Sequence, residues 1–549
     1  MQSRGGRLGD EEIVGVEPEV SPVAIGASVF FVGGLAYYIY SEYGQALRKY
    51  LPGLSTDIPA THTPTKKEKE AKARARMQAR AAPKSTLSPL DQLKWAWTHP
   101  GLYVVGSNEF GLVDPTHPGP CPGLRSSVPG LEGRLIRSAA FAKTHAAAID
   151  SEGHLYQWGT GFTGENSPHR PVRTLSDASL CEVVASDSHI ITRDKKSRIR
   201  VLRGQGAAAN NDSAPSSALK FEPRLGWRES VESISAGKDH IAVTTTGGNV
   251  YTCALDAGGN ARSQLGHGPD ADAQPMTLRR IENKQQFSAA VCGEQHTLLL
   301  TREGQVLGCG ANDFGQLAMG PYKKGTATVH ELTPLKRLWK AGGFHPEAAR
   351  AEIIAAGATT SYAQIREDNA VRLLSWGCGI DGQLGNGTLT HIQGTPVVVA
   401  SLSDRQEYVE ALQQRRPLGL RSLAAAGGHV VAVCDNNSNV VLNKSGGSVD
   451  STPLFGHDVV VWGDNASGQC VPDRKHRFAK PEHPPLLYTT VNSQGRVLHD
   501  DVARLQAAPQ QWIPATRLAG SQPGTLPKVV KAEQAFVAGP DVTAAFLRG

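Results

Sequence analysis

The stretch SWGCGIDGQLGNGT, residues 375–388, places Gly377, Gly379 and Gly382 in G-x-G-x-x-G spacing, after the apolar run 371–376 and about twenty residues before Asp404. Strand, glycines and a distant acid are the order of a dinucleotide-binding turn. That site also needs a helix directly after the glycines, and here the chain continues Gln383, Leu384, Gly385, Asn386, Gly387. Each glycine costs a helix about 1 kcal/mol relative to alanine, so no helix starts here.

The same phrase recurs as CGANDFGQLAMG (309–320), VWGDNASGQCV (461–471), SQLGHG (263–268) and VVGSNEFGL (104–112). A second phrase precedes the full copies, as SAGKDHIAVT from Ser235, VCGEQHTLLL from Val291 and AAGGHVVAV from Ala425. It aligns His145, His189, His240, His296 and His429, with Thr360 in the equivalent slot, at spacings of 44 to 69 residues. Repetition on this scale implies units that bury their apolar faces against one another. Inside a unit, IAVTTTGGNVYTCAL (241–255) and TLLLTREGQVLGCG (297–310) read as two short strands joined by a tight turn. Rings of such hairpins make a β-propeller.

The pattern resembles the RCC1 repeat family, on Gly293, His296 and Thr297, then Gly304, Val306 and Gly308, then Asn312, Gly315, Gln316 and Leu317. The resemblance extends over residues 102–549 and implies an all-β, seven-bladed propeller. LYVVGSNEFG, from Leu102, is a second half without a first, and residues 526–549 are a first half without a second. Pairing the two would close the ring in one shared blade and hide its sheet edges. In that last copy Ala535 is expected in the histidine slot.

The recurrent residues read as structural: His145, His189, His240, His296 and His429 as strand-end residues bonding buried backbone groups, and Gly315, Gln316, Gly382, Gln383 and Gly385 as turn formers. No G-x-x-x-x-G-K-[ST] or H-E-x-x-H occurs, and no catalytic residue, cofactor or metal is expected. The eight cysteines are scattered singly, as buried reduced thiols would be.

Four regions depart from the repeat, at 206–227, 321–350, 401–420 and 472–527. In the second, Thr333 as N-cap, Pro334 at the first position and Gly342 beyond the end suggest a short helix. Leu335, Leu338 and Trp339 share one face, and Lys336, Arg337 and Lys340 the other. The apolar face either packs on the propeller rim or docks a partner. Residues 401–417, SLSDRQEYVEALQQRRP, suggest a second capped helix.

Ahead of the repeats, residues 1–20 form an acidic tail of net charge −3, residues 21–41 are uncharged, and the linker 42–100 carries +6, leaving the repeats +3 of the chain's +6. A nearly neutral propeller argues against nucleic acid as partner. Residues 22–40, PVAIGASVFFVGGLAYYIY, would measure ~28 Å as a helix, enough to span a bilayer core. A signal peptide is the rival reading, but it calls for a short basic start instead of an acidic one. Arg48, Lys49 and the basic run from Lys66 follow the span, which places the propeller on the inner side. That basic run reads equally as a helix lying on anionic headgroups or as a solvated spacer.

This layout resembles fungal mitochondrial inner-membrane RCC1-repeat proteins implicated in assembly of respiratory complex III, the ubiquinol–cytochrome c reductase. The resemblance implies a single-pass, matrix-facing scaffold that binds complex III subunits or assembly factors. The founding RCC1 protein implies the alternative, guanine-nucleotide exchange on a small GTPase.

Overall fold

The computed structural model describes residues 100–548, apart from 117–126, 164–169, 205–216, 269–273, 321–325, 410–412, 436–437, 444–448, 472–475, 483–510 and 513–532. The acidic tail, the apolar segment 21–41 and the basic linker up to residue 99 lie outside the described residues.

Seven antiparallel blades follow one another in chain order. Blade I is Ile136–Phe141, Ala146–Asp150, His154–Trp158 and Val172–Ser176. Blade II begins at Leu180–Ala185, III at Val231–Ala236, IV at Phe287–Cys292, V at Arg350–Ala356 and VI at Leu420–Ala426. Blade VII combines Glu533–Ala538 and Val542–Arg548 with Leu102–Gly106 from the other end of the repeats. The pairs Leu102↔Phe546 and Gly106↔Val542 close the ring, as the two half-copies require.

The first strand of each blade packs against the blade before it, nearest the axis. This explains why these strands, such as FSAAVC and LRSLAAA, are rich in serine and alanine. Space tapers toward the axis and only small side chains fit. Ala535 lies on such a strand, so it does not occupy the histidine slot. That slot belongs to Val542, whose carbonyl accepts from Gly539 N as the His296 carbonyl does from Gly293 N.

The loops joining strands one to two and three to four emerge on one face of the ring, here the upper. The turns between strands two and three, and the blade-to-blade connections, form the lower face. Backbone bonds knit the lower face, for example Thr246 N to Ser230 O, Arg302 N to Gln286 O and Ala351 N to Gly304 O.

Much of what the sequence marks as insertion is blade. Ser217–Ala218 completes blade II, Lys220–Glu222 adds a parallel fifth strand to blade III, Thr328–Pro334 is the fourth strand of blade IV, and Phe478–Glu482 that of blade VI. Because Pro334 ends a strand, the helix starts later than expected, at Arg337–Gly342, and stops on left-handed Gly343. Residues 401–418 are not a long helix but a one-turn 3-10 segment and a hairpin, Arg405–Val409 with Gln414–Leu418. Arg416 holds that hairpin, meeting Glu407 across it at 2.8 Å and Asp435 beyond it at 3.5 Å.

Candidate protein-interaction face

The quoted stretch forms strand, turn and strand: Ala370–Gly379, a loop, then Thr390–Val398. Asp404 is occupied by Arg372 at 2.7 Å. Where the repeat supplies its asparagine or glutamine, that side chain holds its own turn. Asn312 Oδ1 accepts from Leu317 N at 2.9 Å and Gln316 Oε1 from Phe314 N at 3.0 Å, while Gln383 Oε1 accepts from Asp381 N at 2.8 Å. The turn's backbone then serves the next blade, since Gln316 O accepts from both Ser361 Oγ and Trp376 Nε1 at 2.7 Å.

Three histidines complete this latch. His240 Nε2 meets Thr297 Oγ1 at 3.0 Å, His296 Nε2 meets Ser361 Oγ at 2.9 Å, and His429 Nε2 meets Thr543 Oγ1 at 2.8 Å, each across a blade boundary. The partner is therefore a hydroxyl of the next repeat, in place of the expected backbone group. Thr297 Oγ1 gives its one proton to Gln264 O, and Ser361 Oγ gives its own to Gln316 O. His240 and His296 must then donate from Nε2, which makes them neutral Nε2–H tautomers. Burial keeps them so, lowering their pKa to about 4 and about 3. In blade V the slot holds Thr360 instead, and the Tyr362 hydroxyl supplies Gln383 O at 2.7 Å.

The G-x-x-H spacing has a steric cause: a Cβ on Gly293 would lie 2.0 Å from His296 Cε1, and one on Gly237 2.3 Å from His240 Cε1. His145 is packed likewise under Gly204, and His189 is half-buried with Nδ1 2.9 Å from Ser188 Oγ.

Of the two readings of the apolar face, packing on the propeller is the one observed. Leu335, Leu338 and Trp339 are buried in one core cluster with Leu298, Leu374 and Trp376. Burial against blades IV and V removes more apolar surface from water than rim exposure would leave. Only Lys336, Arg337 and Lys340 remain exposed. Leu338→Ala is expected to cost about 2–5 kcal/mol, read as a fall in the urea midpoint. Charge reversal at Lys336 should change stability by no more than ~0.5 kcal/mol.

The upper face gathers carboxylates, three of them paired: Asp187 with Lys238 at 3.9 Å, Asp313 with Arg262 at 2.6 Å and Asp381 with Arg477 at 3.0 Å. Two loops of each unit face that side, the one before the histidine slot and the third-to-fourth loop. Asp187, Asp239, Glu294 and Asp541 lie one or two residues before the slot, and Glu109, Asp256, Asp313, Asp381 and Asp464 within three residues of the end of the third strand. Burial, then the neighbouring Asp256, Asp187 and Glu294, raise the Asp239 carboxyl above its usual pKa against the pull of Lys238. Burial, Asp464 and Glu109 do the same to Asp541 against Lys143, and burial and Asp464 to Asp381 against Arg477. A carboxylate ring of this kind attracts a basic partner surface.

The trio Asp150, Glu152 and His154 is close enough to suggest a metal, but Arg134 sits 3.0 Å from the Asp150 carboxylate, which also accepts from the Glu152 and His154 amides. Its lone pairs are spent and its charge is answered.

Two segments, residues 287–316 and 372–433, match the family described as "Regulator of chromosome condensation (RCC1) repeat". The chain carries RCC1 repeats. The chain is 26% identical over 301 residues to the Arabidopsis thaliana "RCC1 domain-containing protein RUG3, mitochondrial", an alignment spanning 51% of this chain and 62% of the relative. It is 27% identical over 241 residues to the mouse "Secretion-regulating guanine nucleotide exchange factor", spanning 44% and 42%. The alignments therefore cover less than two thirds of either relative. Among solved structures, human WBSCR16 superposes with a TM-score of 0.51 at 13% identity, covering 82% of this chain and all of that one. Prp20p of Saccharomyces cerevisiae superposes with a TM-score of 0.50 at 14% identity, covering 84% and 95%. At such identities the likeness concerns the fold.

Proposed function

We propose that this RCC1-repeat chain is a non-enzymatic, membrane-tethered protein-interaction scaffold of the mitochondrial inner membrane, matrix-facing, that assists assembly of respiratory complex III. The observation that carries the interaction role is the upper face. Repeat residues elsewhere are occupied in turns and blade latches, whereas Asp239 and Asp541 hold partly desolvated negative charge, with Asp187 and Glu294 beside the first and Asp464 beside the second. The mitochondrial setting is supported by the likeness to RUG3, and the tether by the uncharged segment 21–41 with basic residues after it. Complex III as client follows from the resemblance in layout to the fungal inner-membrane proteins.

Capture of the full-length membrane form tests this. Complex III subunits or assembly factors are expected to co-purify, and Asp187→Lys with Asp239→Lys and Glu294→Lys should reduce their recovery about tenfold or more while the melting profile holds. The likeness to a guanine nucleotide exchange factor supports a second reading. Recovery of a small GTPase whose GDP release the purified chain accelerates would replace the scaffold with that exchange factor.

A further inference from the structure

The lower face differs from the upper in kind. Between the edge strand Lys220–Glu222 and blade III the chain crosses this face, and at its crest Trp227 is 86% exposed. The Arg228 guanidinium stacks on the indole, 4.1 Å from its centroid. The crossing is preorganised: Glu229 Oε1 accepts from Asn249 Nδ2 at 2.7 Å and from the Thr245 hydroxyl, and Glu229 N donates to Gly226 O at 2.9 Å. A large aromatic ring is thus held in water by a loop fixed on both sides of it.

Six bases surround it, alongside the exposed Glu222, Glu282 and Glu303. Lys195, Lys196, Arg224, Arg228, Lys284 and Arg302 are exposed, and none has a carboxylate within ion-pair distance among the described residues. Contacts make the patch continuous, with Val231 N on Ser197 Oγ at 2.8 Å, Thr246 N on Ser230 O at 2.9 Å and Arg302 Nη2 on Thr246 O at 2.7 Å. The described chain also begins on this face. Leu102–Gly106 runs from the lower to the upper side, and Pro100 O accepts from Gly133 N at 2.8 Å in the lower connection to blade I. The first described residues therefore enter the propeller on the side that carries Trp227.

We propose that this lower face rests on an anionic phospholipid bilayer, with Trp227 at the headgroup level and the six bases over lipid phosphates. The proposal deepens the tethered-scaffold reading and rests on residues 21–41 being the anchor. Indole rings favour the membrane interface, and clustered lysine and arginine favour anionic lipid. Tethering strengthens the contact, because it makes it intramolecular. The consequence is orientation: the carboxylate face points away from the bilayer, toward partners.

The full chain reconstituted in nanodiscs tests this by hydrogen exchange. With about 30% phosphatidylglycerol in phosphatidylcholine, amides of residues 223–230 and 195–198 should exchange about tenfold more slowly than in phosphatidylcholine alone, and about 0.5 M salt should remove the difference. Trp227→Ser with Arg228→Ser should abolish the protection without moving the melting temperature, since both side chains are exposed. Equal exchange in neutral and anionic discs, or protection unchanged in the double variant, overturns the proposal; protection that appears only when a captured protein is added assigns the patch to a protein partner instead. If the chain fails to enter nanodiscs the anchor reading fails separately, and flotation with phosphatidylglycerol vesicles decides the face: binding lost in the double variant supports it, and absence of flotation overturns it.

Discussion

A chain ending at residue 532 loses its cooperative melt and sediments with the insoluble fraction. The deletion removes Glu533–Ala538 and Val542–Arg548, two of the three described strands of blade VII, and leaves Leu102–Gly106 without its partner. Leu102, Val104, Val542, Ala544 and Phe546 belong to one core cluster with Trp158 of blade I. Loss of Val542 and Phe546 alone forfeits about 1.5–3 kcal/mol each, a large share of the 5–15 kcal/mol typical of a whole domain. His429 also loses Thr543, so the latch of blade VI is cut. The opened ring presents unpaired strand edges, and edge pairing between molecules follows. Calorimetry and sedimentation check this, and a truncated chain as soluble and heat-stable as the full one would contradict ring closure.

Acidification is the second large effect. His145, His240 and His429 titrate at about 4 in the folded chain and His296 at about 3, because burial disfavours the imidazolium, and all four return to about 6.5 on unfolding. Below pH ~6.5 the unfolded chain therefore binds protons that the folded chain refuses, and stability falls with pH until the folded values are reached. Each histidine costs at most about 1.4 kcal/mol per pH unit in that window, so four acting together consume several kcal/mol by about pH 5. Asp239, Asp381 and Asp541 act in the opposite sense, since their raised folded pKa values make protonation favour the fold. An aspartate ordinarily titrates at about 4, below most of this window, and the net slope keeps the histidine sign. Denaturant midpoints measured from pH 7.5 to 5 should fall continuously, and His296→Asn should lessen the slope by about one proton whatever it does to stability at pH 7.5.

Repeat period, hairpin content and ring closure by the two half-copies were all legible in the sequence. The reason is range: Asn312 and Gln316 bond backbone amides within five residues, Gly293 leaves room for a ring three residues on, and the turn glycines answer to local backbone shape. Such interactions stamp their pattern on adjacent letters and repeat with the unit. Other features depend on partners that adjacent letters do not name. Leu338 and Trp339 look alike on a helix whether they face water or blade V, and only packing against Leu374 and Trp376 puts them in the core. Residues 405–418 have helical composition, yet Arg416, bridging Glu407 and the distant Asp435, secures a hairpin. The hydroxyl that meets His240 lies 57 residues further on, and the carboxylates from Glu109 to Asp541 converge only because the blades turn every such loop to one side. Local chemistry thus determined the fold in the sequence itself, whereas the histidine partners, the buried insert and the acidic and basic faces were decided by contacts that exist only once the ring has closed.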